Sequence, residues 1–143
     1  MTAAQEPLIL HASCVGVQGK GVLILGPSGS GKSSLALQLM AFGARLISDD
    51  RTEIICENNS AIARCPAAIS GLIEARGIGI LRVSPLPSAE LALVIDLGQN
   101  DTDRLPKRRH VSIAGIDIDL VLGPISGHFP AAVLCYLSGH RQE

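Results

Sequence analysis

Residues 22–41 read VLILGPSGSGKSSLALQLMA, and this stretch decides the fold. Four apolar residues, Val22 to Leu25, form a short buried strand. A glycine-rich loop follows, and the spacing then predicts a helix from about Lys32 to Ala41. The loop satisfies GxxxxGK[ST] with Gly26, Gly31, Lys32 and Ser33. Glycine lets the backbone curl until successive N–H groups point inward, the geometry that cradles phosphate oxygens. The helix that starts at Lys32 adds the positive end of its dipole. Lys32 is expected to bridge the outer phosphates, and the Ser33 hydroxyl to take one Mg²⁺ position. The competing reading is a glycine-rich turn that matches by chance. A strand directly before and a helix directly after argue against it. The expected cradle is therefore Gly26, Pro27, Ser28, Gly29, Ser30, Gly31, Lys32 and Ser33.

Upstream, residues 8–18 are apolar and β-branched, with Gly16 and Gly19-Lys20-Gly21 as turn signals, which predicts a hairpin leading into Val22–Leu25. Downstream, Gly43 is a good helix-terminating residue. Arg45 to Ile47 reads as a short buried strand delivering Ser48-Asp49-Asp50 at its end. Thr52–Cys56 and Ala61–Cys65 flank Glu57-Asn58-Asn59-Ser60, a predicted hairpin. Pro66–Ser70 reads as loop and Gly71–Gly79 as a mixed, glycine-rich segment. Ile80–Val83 is a candidate strand broken by Pro85 and Pro87. Leu91–Leu97 is a strongly buried strand ending on Asp96, and Gly98–Arg109 is polar and exposed. Val111–Ile113 and Ile116–Leu122 are strands joined at Ala114-Gly115, and Phe129–Leu137 is a closing helix. Strands outnumber helices, and only one βα unit is clear. This predicts an α/β protein with a mixed sheet and added hairpins, in one domain over residues 1–143.

Composition limits the function classes. Lys and Arg number 12 against 13 Asp and Glu, for a net charge of −1, so no overall field draws the chain to nucleic acid or anionic lipid. Aromatic residues are 2 %, leaving little to stack on unpaired bases. Hydrophobic residues make up 47 %, which is rich for a small soluble monomer and points to apolar surface held between subunits. The residues MTAAQEPLIL carry no basic segment or apolar run of signal length. No stretch approaches the roughly 20 apolar residues of a helical membrane span. Cys14, Cys56, Cys65 and Cys135 form no CxxC pair and have no histidine at zinc-ligand spacing, so they read as small buried hydrophobes in a reducing compartment. The expected location is cytoplasmic.

A phosphate loop does not name its chemistry, which needs a carboxylate near the metal and a group that orients the acceptor. Two candidates stand at strand ends: the Asp49-Asp50 pair and Asp96. Alternation along a strand sends two adjacent acids to opposite sides, so one can serve metal and the other an acceptor. The competing reading of the pair is a solvated turn. On these residues alone, Asp50 and Asp96 remain equal candidates.

Four stretches together resemble the HPr kinase/phosphorylase family. They are His11 within HASCVGVQGK, the loop itself, RLISDD after it, and GLIEARGIGI at residues 71–80, which matches the family signature around Glu-x-Arg-Gly-x-Gly. Asp103-Arg104-Leu105 matches a further family element. The likeness covers nearly the whole chain and implies a short form, the catalytic P-loop domain with a fold related to phosphoenolpyruvate carboxykinase. It implies ATP and Mg²⁺ as cofactors and transfer to a serine of HPr, the phosphocarrier of the phosphotransferase system, with possible reversal by phosphate. By the resemblance, Lys32 neutralises the moving phosphoryl group and Asp50 is the proton acceptor. Ser33 and Glu74 hold Mg²⁺, and His11 and Arg104 are further catalytic residues. Asp96 then becomes a strand-end residue.

Read without the resemblance, GLIEARGIGI is a glycine-containing strand and turn, His11 a structural histidine, and Arg104 part of a solvated charged loop. The chain also departs from the family. Where a Pro-x-Arg-Pro-Gly-Arg element is expected, it reads Gly123-Pro124-Ile125-Ser126-Gly127-His128, so both arginines are replaced. Losing guanidinium donors weakens phosphate handling in the reverse reaction. The segment between Gly79 and Asp103 is short. The C-terminal helices are curtailed, which bears on the hexamer that the resemblance implies. Two rival functions are a small-molecule kinase using the same loop and an ATP-sensing module without transfer.

Overall fold

The computed structural model describes residues 6–139 together with 141 and 142. The reading of the first residues as carrying no signal segment lies partly outside this range. Eleven strands and two α-helices appear among the described residues. The predicted hairpin is β2 (Ala12–Val17) and β3 (Lys20–Leu25), preceded by the short β1 (Leu8–Leu10). Helix α1 spans Lys32–Ala41, as the spacing predicts. It buries Lys32, Leu35, Ala36 and Leu39, a stripe at i, i+3, i+4 and i+7. Its end is closed by two reverse bonds, Gly43 N–H to the Met40 carbonyl and Ala44 N–H to the Leu39 carbonyl. Gly43 takes the left-handed φ of 105° this motif requires.

Strand β4 (Arg45–Ser48) follows, then the hairpin of β5 (Thr52–Glu57) and β6 (Ser60–Arg64). Asn58 and Asn59 both have positive φ, the turn suited to a two-residue hairpin. Within the predicted loop, Ala67–Ile69 makes a single 3₁₀ turn. The glycine-rich segment is more ordered than its composition suggests. It forms β7 (Leu72–Ala75), a turn, and β8 (Gly79–Arg82), which pair only with each other. The hairpin is amphipathic: Ile73 and Ala75 are buried, while Glu74, Ile78 and Ile80 face outward.

The remaining elements are β9 (Ser88–Asn100), β10 (Arg109–Ile113), β11 (Ile116–Gly123) and α2 (Phe129–Gly139). Strand β9 is longer than Leu91–Leu97 and includes the start of the segment read as polar and exposed, whose residues 98–100 are exposed within the strand. The reason is pairing. Its start bonds antiparallel to β6, its middle runs parallel to β3, and its later half runs parallel to β11 as far as Asn100. The order β1-β5-β6-β9-β3-β2-β4 therefore forks at β9, where β11 and β10 attach. Opposite Gly21/Val22 the register shifts past Ala92. This bulge changes which face β9 presents: Leu91 joins one core and Leu93 the other.

Both sheet faces are covered. On one, Val22, Ile24, Leu93 and Ile95 pack against Leu35, Leu39, Val133 and Leu137 of the two helices. On the other, Leu23, Ile54, Val94, Ile113 and Ile118 meet as the outer strands curl over. Leu39 is fully buried, so Leu39→Ala is expected to cost about 2–5 kcal/mol. The cysteines depart from their predicted burial: Cys14 is buried, but Cys56 and Cys135 are exposed, and all four are free. Burial pushes the Cys14 thiol far up, so it is an inert core group.

Candidate active site

Strands β3, β9 and β11 are parallel, so their C-terminal ends lie along one edge of the sheet. The phosphate loop leaves β3 at this edge. Its glycines are required by geometry. Gly26 sits at φ 152°, where an added Cβ would stand 2.4 Å from the Ser30 hydroxyl oxygen. Gly31 is the N-cap of α1 in a left-handed conformation, with no side chain bonding the helix N–H groups. No acidic residue occupies the first turn. The positive end of α1 is thus directed at whatever fills the loop. Lys32 is 7 % exposed, and its ammonium donates to the carbonyls of Gly26 (2.8 Å) and Pro27 (3.2 Å).

Asp49, at the end of β4, is the organising residue. It is 7 % exposed, and its carboxylate accepts three bonds. Oδ1 accepts from the hydroxyls of Ser13 (2.7 Å) and Ser33 (2.7 Å), and Oδ2 from the backbone N–H of Glu74 (3.0 Å). One buried charge thus ties β2, the start of α1 and β7 together. The cost of burying it is offset by full hydrogen bonding.

Asp50 points the other way. Its φ is 70°, an uncommon conformation for a residue with a side chain. Its carbonyl accepts from Ala12 N–H at 3.0 Å. The carboxylate is largely exposed and lies 2.6 Å from Nε2 of His11. The two aspartates diverge as expected, but not by strand alternation: both lie past the end of β4, and the left-handed backbone at Asp50 turns its side chain away.

These parts enclose a cavity of about 290 Å³ lined by Lys32, Ser33, Asp50, His11, Glu74 and Arg76, with Ser28, Gly29, Gly31 and Ser34 completing the wall. Gly26 and Pro27 contribute carbonyls to Lys32 but do not line the cavity, and the Ser30 hydroxyl oxygen is buried with no hydrogen-bond partner among the described residues. The carboxylate of Glu74 has no hydrogen-bond or ion-pair partner among the described residues, and Arg76 does not pair with it. No ready-made cluster of His, Cys, Asp and Glu for a metal is found among the described residues. The Ser33 hydroxyl and the Glu74 carboxylate nevertheless face one cavity, a hard oxygen set that suits a Mg²⁺ completed by phosphate and water.

Two sequence candidates lie elsewhere. Asp96 is next to the loop strand, paired with Leu25, but its oxygens are taken by Gly98 N–H (2.8 Å) and the Gln99 side chain (2.8 Å). Arg104 lines a separate cavity of about 520 Å³ with Lys107, Ser126 and His128. Strand β4, which leads into Asp49 and Asp50, is not adjacent to β3, since β2 lies between them. Sequence reasoning missed Ser13. Its signal is a hydroxyl inside an apolar strand, which needs a partner when buried.

The chain has relatives among known proteins in both sequence and fold. The HPr serine kinase C-terminal domain model matches residues 3–135. The HPr kinase/phosphorylase of Aromatoleum aromaticum is 35 % identical over 143 residues, covering 90 % of this chain and 46 % of that protein. The HPr kinase/phosphorylase of Clostridium beijerinckii is 37 % identical over 128 residues, covering 81 % of this chain and 42 % of that protein. The chain thus spans less than half the length of these relatives. The solved HPr(Ser) kinase/phosphatase from Coxiella burnetii superposes with a TM-score of 0.79 at 30 % identity, over 93 % of this chain and 95 % of that one. With the family model covering nearly all of the sequence and a solved member sharing its mixed, curled sheet, the chain belongs to the HPr serine kinase C-terminal domain family.

Proposed function

We propose that this protein is an ATP-dependent serine kinase whose acceptor is the phosphocarrier HPr. One observation carries the reading: a single cavity joins the phosphate loop to the exposed Asp50–His11 pair and the unpaired Glu74 carboxylate. A pure nucleotide sensor has no need of an acceptor base. Family membership supplies the reaction class and the names of the relatives supply HPr.

In this mechanism the loop N–H groups and Lys32 hold the terminal phosphates and balance their charge. Ser33 and Glu74 hold Mg²⁺, which when bound neutralises charge on the phosphate oxygens. Asp49 fixes the Ser33 hydroxyl hydrogen by accepting it, leaving an oxygen lone pair free for the metal. Asp50 accepts the proton of the serine hydroxyl. The acceptor oxygen bonds to the γ-phosphorus as the bond to the β–γ bridging oxygen breaks, and ADP leaves. His11 fixes the orientation of the Asp50 carboxylate. A role for Arg104 would require the 101–108 loop to reach the phosphates. With Ser126 and His128 in place of arginines, the forward direction is favoured over phosphate-driven reversal. No helix among the described residues is long and apolar enough to cross a membrane, and an HPr acceptor implies a cytoplasmic site of action.

The test is mass-spectrometric. The chain is incubated with Mg-ATP and HPr from the same organism, beside Lys32→Ala and Asp50→Asn. A phosphate's mass on one serine of HPr, absent with both variants, supports the reading. ATP binding without transfer favours the sensor, and transfer to a metabolite alone favours a small-molecule kinase.

A further inference from the structure

The ladder between β2 and β4 ends at the pair Cys14 and Ser48. The chain beyond it carries Asp49 and Asp50, and it is held by single bonds instead of a ladder. Arg51 N–H donates to the Asp49 carbonyl at 2.8 Å, and the Ser48 hydroxyl donates to the Arg51 carbonyl. The Thr52 hydroxyl donates to the Ala12 carbonyl at 2.9 Å. Asp50 itself is gripped at both ends of its backbone by two consecutive residues of β2. Ala12 N–H donates to its carbonyl at 3.0 Å, and its own N–H donates to the Ser13 hydroxyl oxygen at 3.4 Å. A left-handed residue with a side chain persists only where its surroundings fix it.

Ser13 is the unexpected member of this grip. It is fully buried, between Ala12 and Cys14, which are fully buried too. A hydroxyl has one hydrogen to give and lone pairs to accept with. The hydrogen goes to Asp49 Oδ1, which fixes the rotor. A lone pair is left for the Asp50 N–H. The same Oδ1 accepts from the Ser33 hydroxyl. One unbroken chain of hydrogen bonds therefore runs from the Ser33 hydroxyl, through the Asp49 carboxylate and the Ser13 hydroxyl, to the backbone of Asp50.

We infer that Ser13 is a positioning residue for phosphoryl transfer, its hydroxyl setting the base Asp50 against the same carboxylate that orients Ser33. The inference rests on the kinase reading above. Transfer needs the phosphate-side groups and the base at a fixed separation, because small misplacements of a reacting group are costly. Their carriers do not pair directly: the loop leaves β3, the aspartates follow β4, and β2 lies between. The Ser13 side chain spans that gap. Replacing its hydroxyl by a methyl removes the acceptor of the Asp50 N–H. It leaves Asp49 its bonds from Ser33 and from the Glu74 N–H. The nucleotide side then keeps its geometry while the base loses one of its two anchors on β2. The loss falls on the transfer step and not on nucleotide binding.

The experiment compares Ser13→Ala, Ser13→Thr and Ser13→Val with the unaltered chain, well below every melting point. Thr and Val share one shape and differ in the hydroxyl, so this pair decides even where Ser13→Ala folds poorly. Ile118→Ala is the control for lost stability, a buried residue of β11 in the other core. With HPr and Mg-ATP, kcat is expected to fall about tenfold or more in Ser13→Ala and Ser13→Val. The KM for HPr and the ATP affinity should stay within about twofold. Ser13→Thr should restore kcat to within about threefold, and Ile118→Ala should melt earlier with kcat unchanged. Hydrogen exchange at the Asp50 amide should quicken about tenfold in Ala and Val and not in Thr. Equal kcat in Thr and Val, or an Asp50 amide equally protected in both, overturns the inference and leaves the kinase reading intact. A kcat loss in Ile118→Ala as large as that in Ser13→Ala makes the effect one of stability and overturns it too. No transfer by the unaltered chain overturns the kinase reading and this inference with it.

Discussion

The phosphate loop and the segment from Asp101 to Arg109 leave the same end of neighbouring parallel strands, β3 and β9, yet they are held in opposite ways. Around the loop, three separate pieces of chain converge on the buried Asp49 carboxylate. In the other segment, charges are matched locally. Asp101 pairs with Arg109 at 3.0 Å, and Arg108 donates to the carbonyls of Arg141 and Gln142. Arg141 in turn donates to the Pro106 carbonyl. A buried charge with three donors fixes positions because any loss leaves a group unsatisfied in low dielectric. The Asp101–Arg109 pair is partly buried and tied to fewer pieces of chain, so its loss disturbs less than the loss of Asp49. The first region is built to hold geometry, and the second to hold a loop in place.

The sharpest way to break this contrast is Asp50→Asn. We expect transfer to fall by about 10²–10⁴-fold, the usual contribution of a general base, with ATP binding retained in a calorimetric titration. Asp49→Ala should act on the fold itself. It strands two hydroxyls and one backbone N–H, and a loss on the order of 3 kcal/mol is expected. Thermal melting should register this as a drop of on the order of 10 °C. An unchanged melting point would mean that Asp49 does not organise the site.

Arg104→Ala discriminates the two regions directly. With its side chain in a separate cavity, turnover should fall by far less than in Asp50→Asn, by about tenfold at most. A loss as large as that of Asp50→Asn would show that the segment carries its guanidinium to the phosphates. The smallest effect is expected at Asp101. The Asp103 backbone N–H, and then Arg109, hold its carboxyl below the ordinary carboxylate range. The folded value is depressed, so the pair's contribution is present above the ordinary carboxylate pKa. It fades as pH falls through the lowered one. Asp101→Asn should therefore lower the melting point slightly near neutrality and leave it unchanged in strong acid.

Much of this was readable in the residues. The loop, the full extent of α1 and its Gly43 terminus follow from local steric and periodic rules. So does the Asn58-Asn59 hairpin. The resemblance drew His11, Asp50 and Glu74 to one function, and the fold brings them to one cavity. What could not be read was which strands pair. The β9 fork and the bulge past Ala92 arise from partners distant in sequence, so Leu91 and Leu93 look alike until β3 and β11 are in place. The buried role of Ser13 was hidden for the same reason. Its partner lies 36 residues further along the chain. Arg104 marks the other limit, because a motif gives residue type and not the direction in which a surface loop carries it.

Strand β9 has a consequence for synthesis. The phosphate loop leaves the ribosome before β9, and β3 carries an open side until Ser88–Asn100 arrives to cover it. Until then a nascent chain presents an unpaired apolar edge, the kind of surface that recruits chaperones or other chains. The loop's geometry therefore becomes dependable only after a segment more than fifty residues further along closes the sheet behind it.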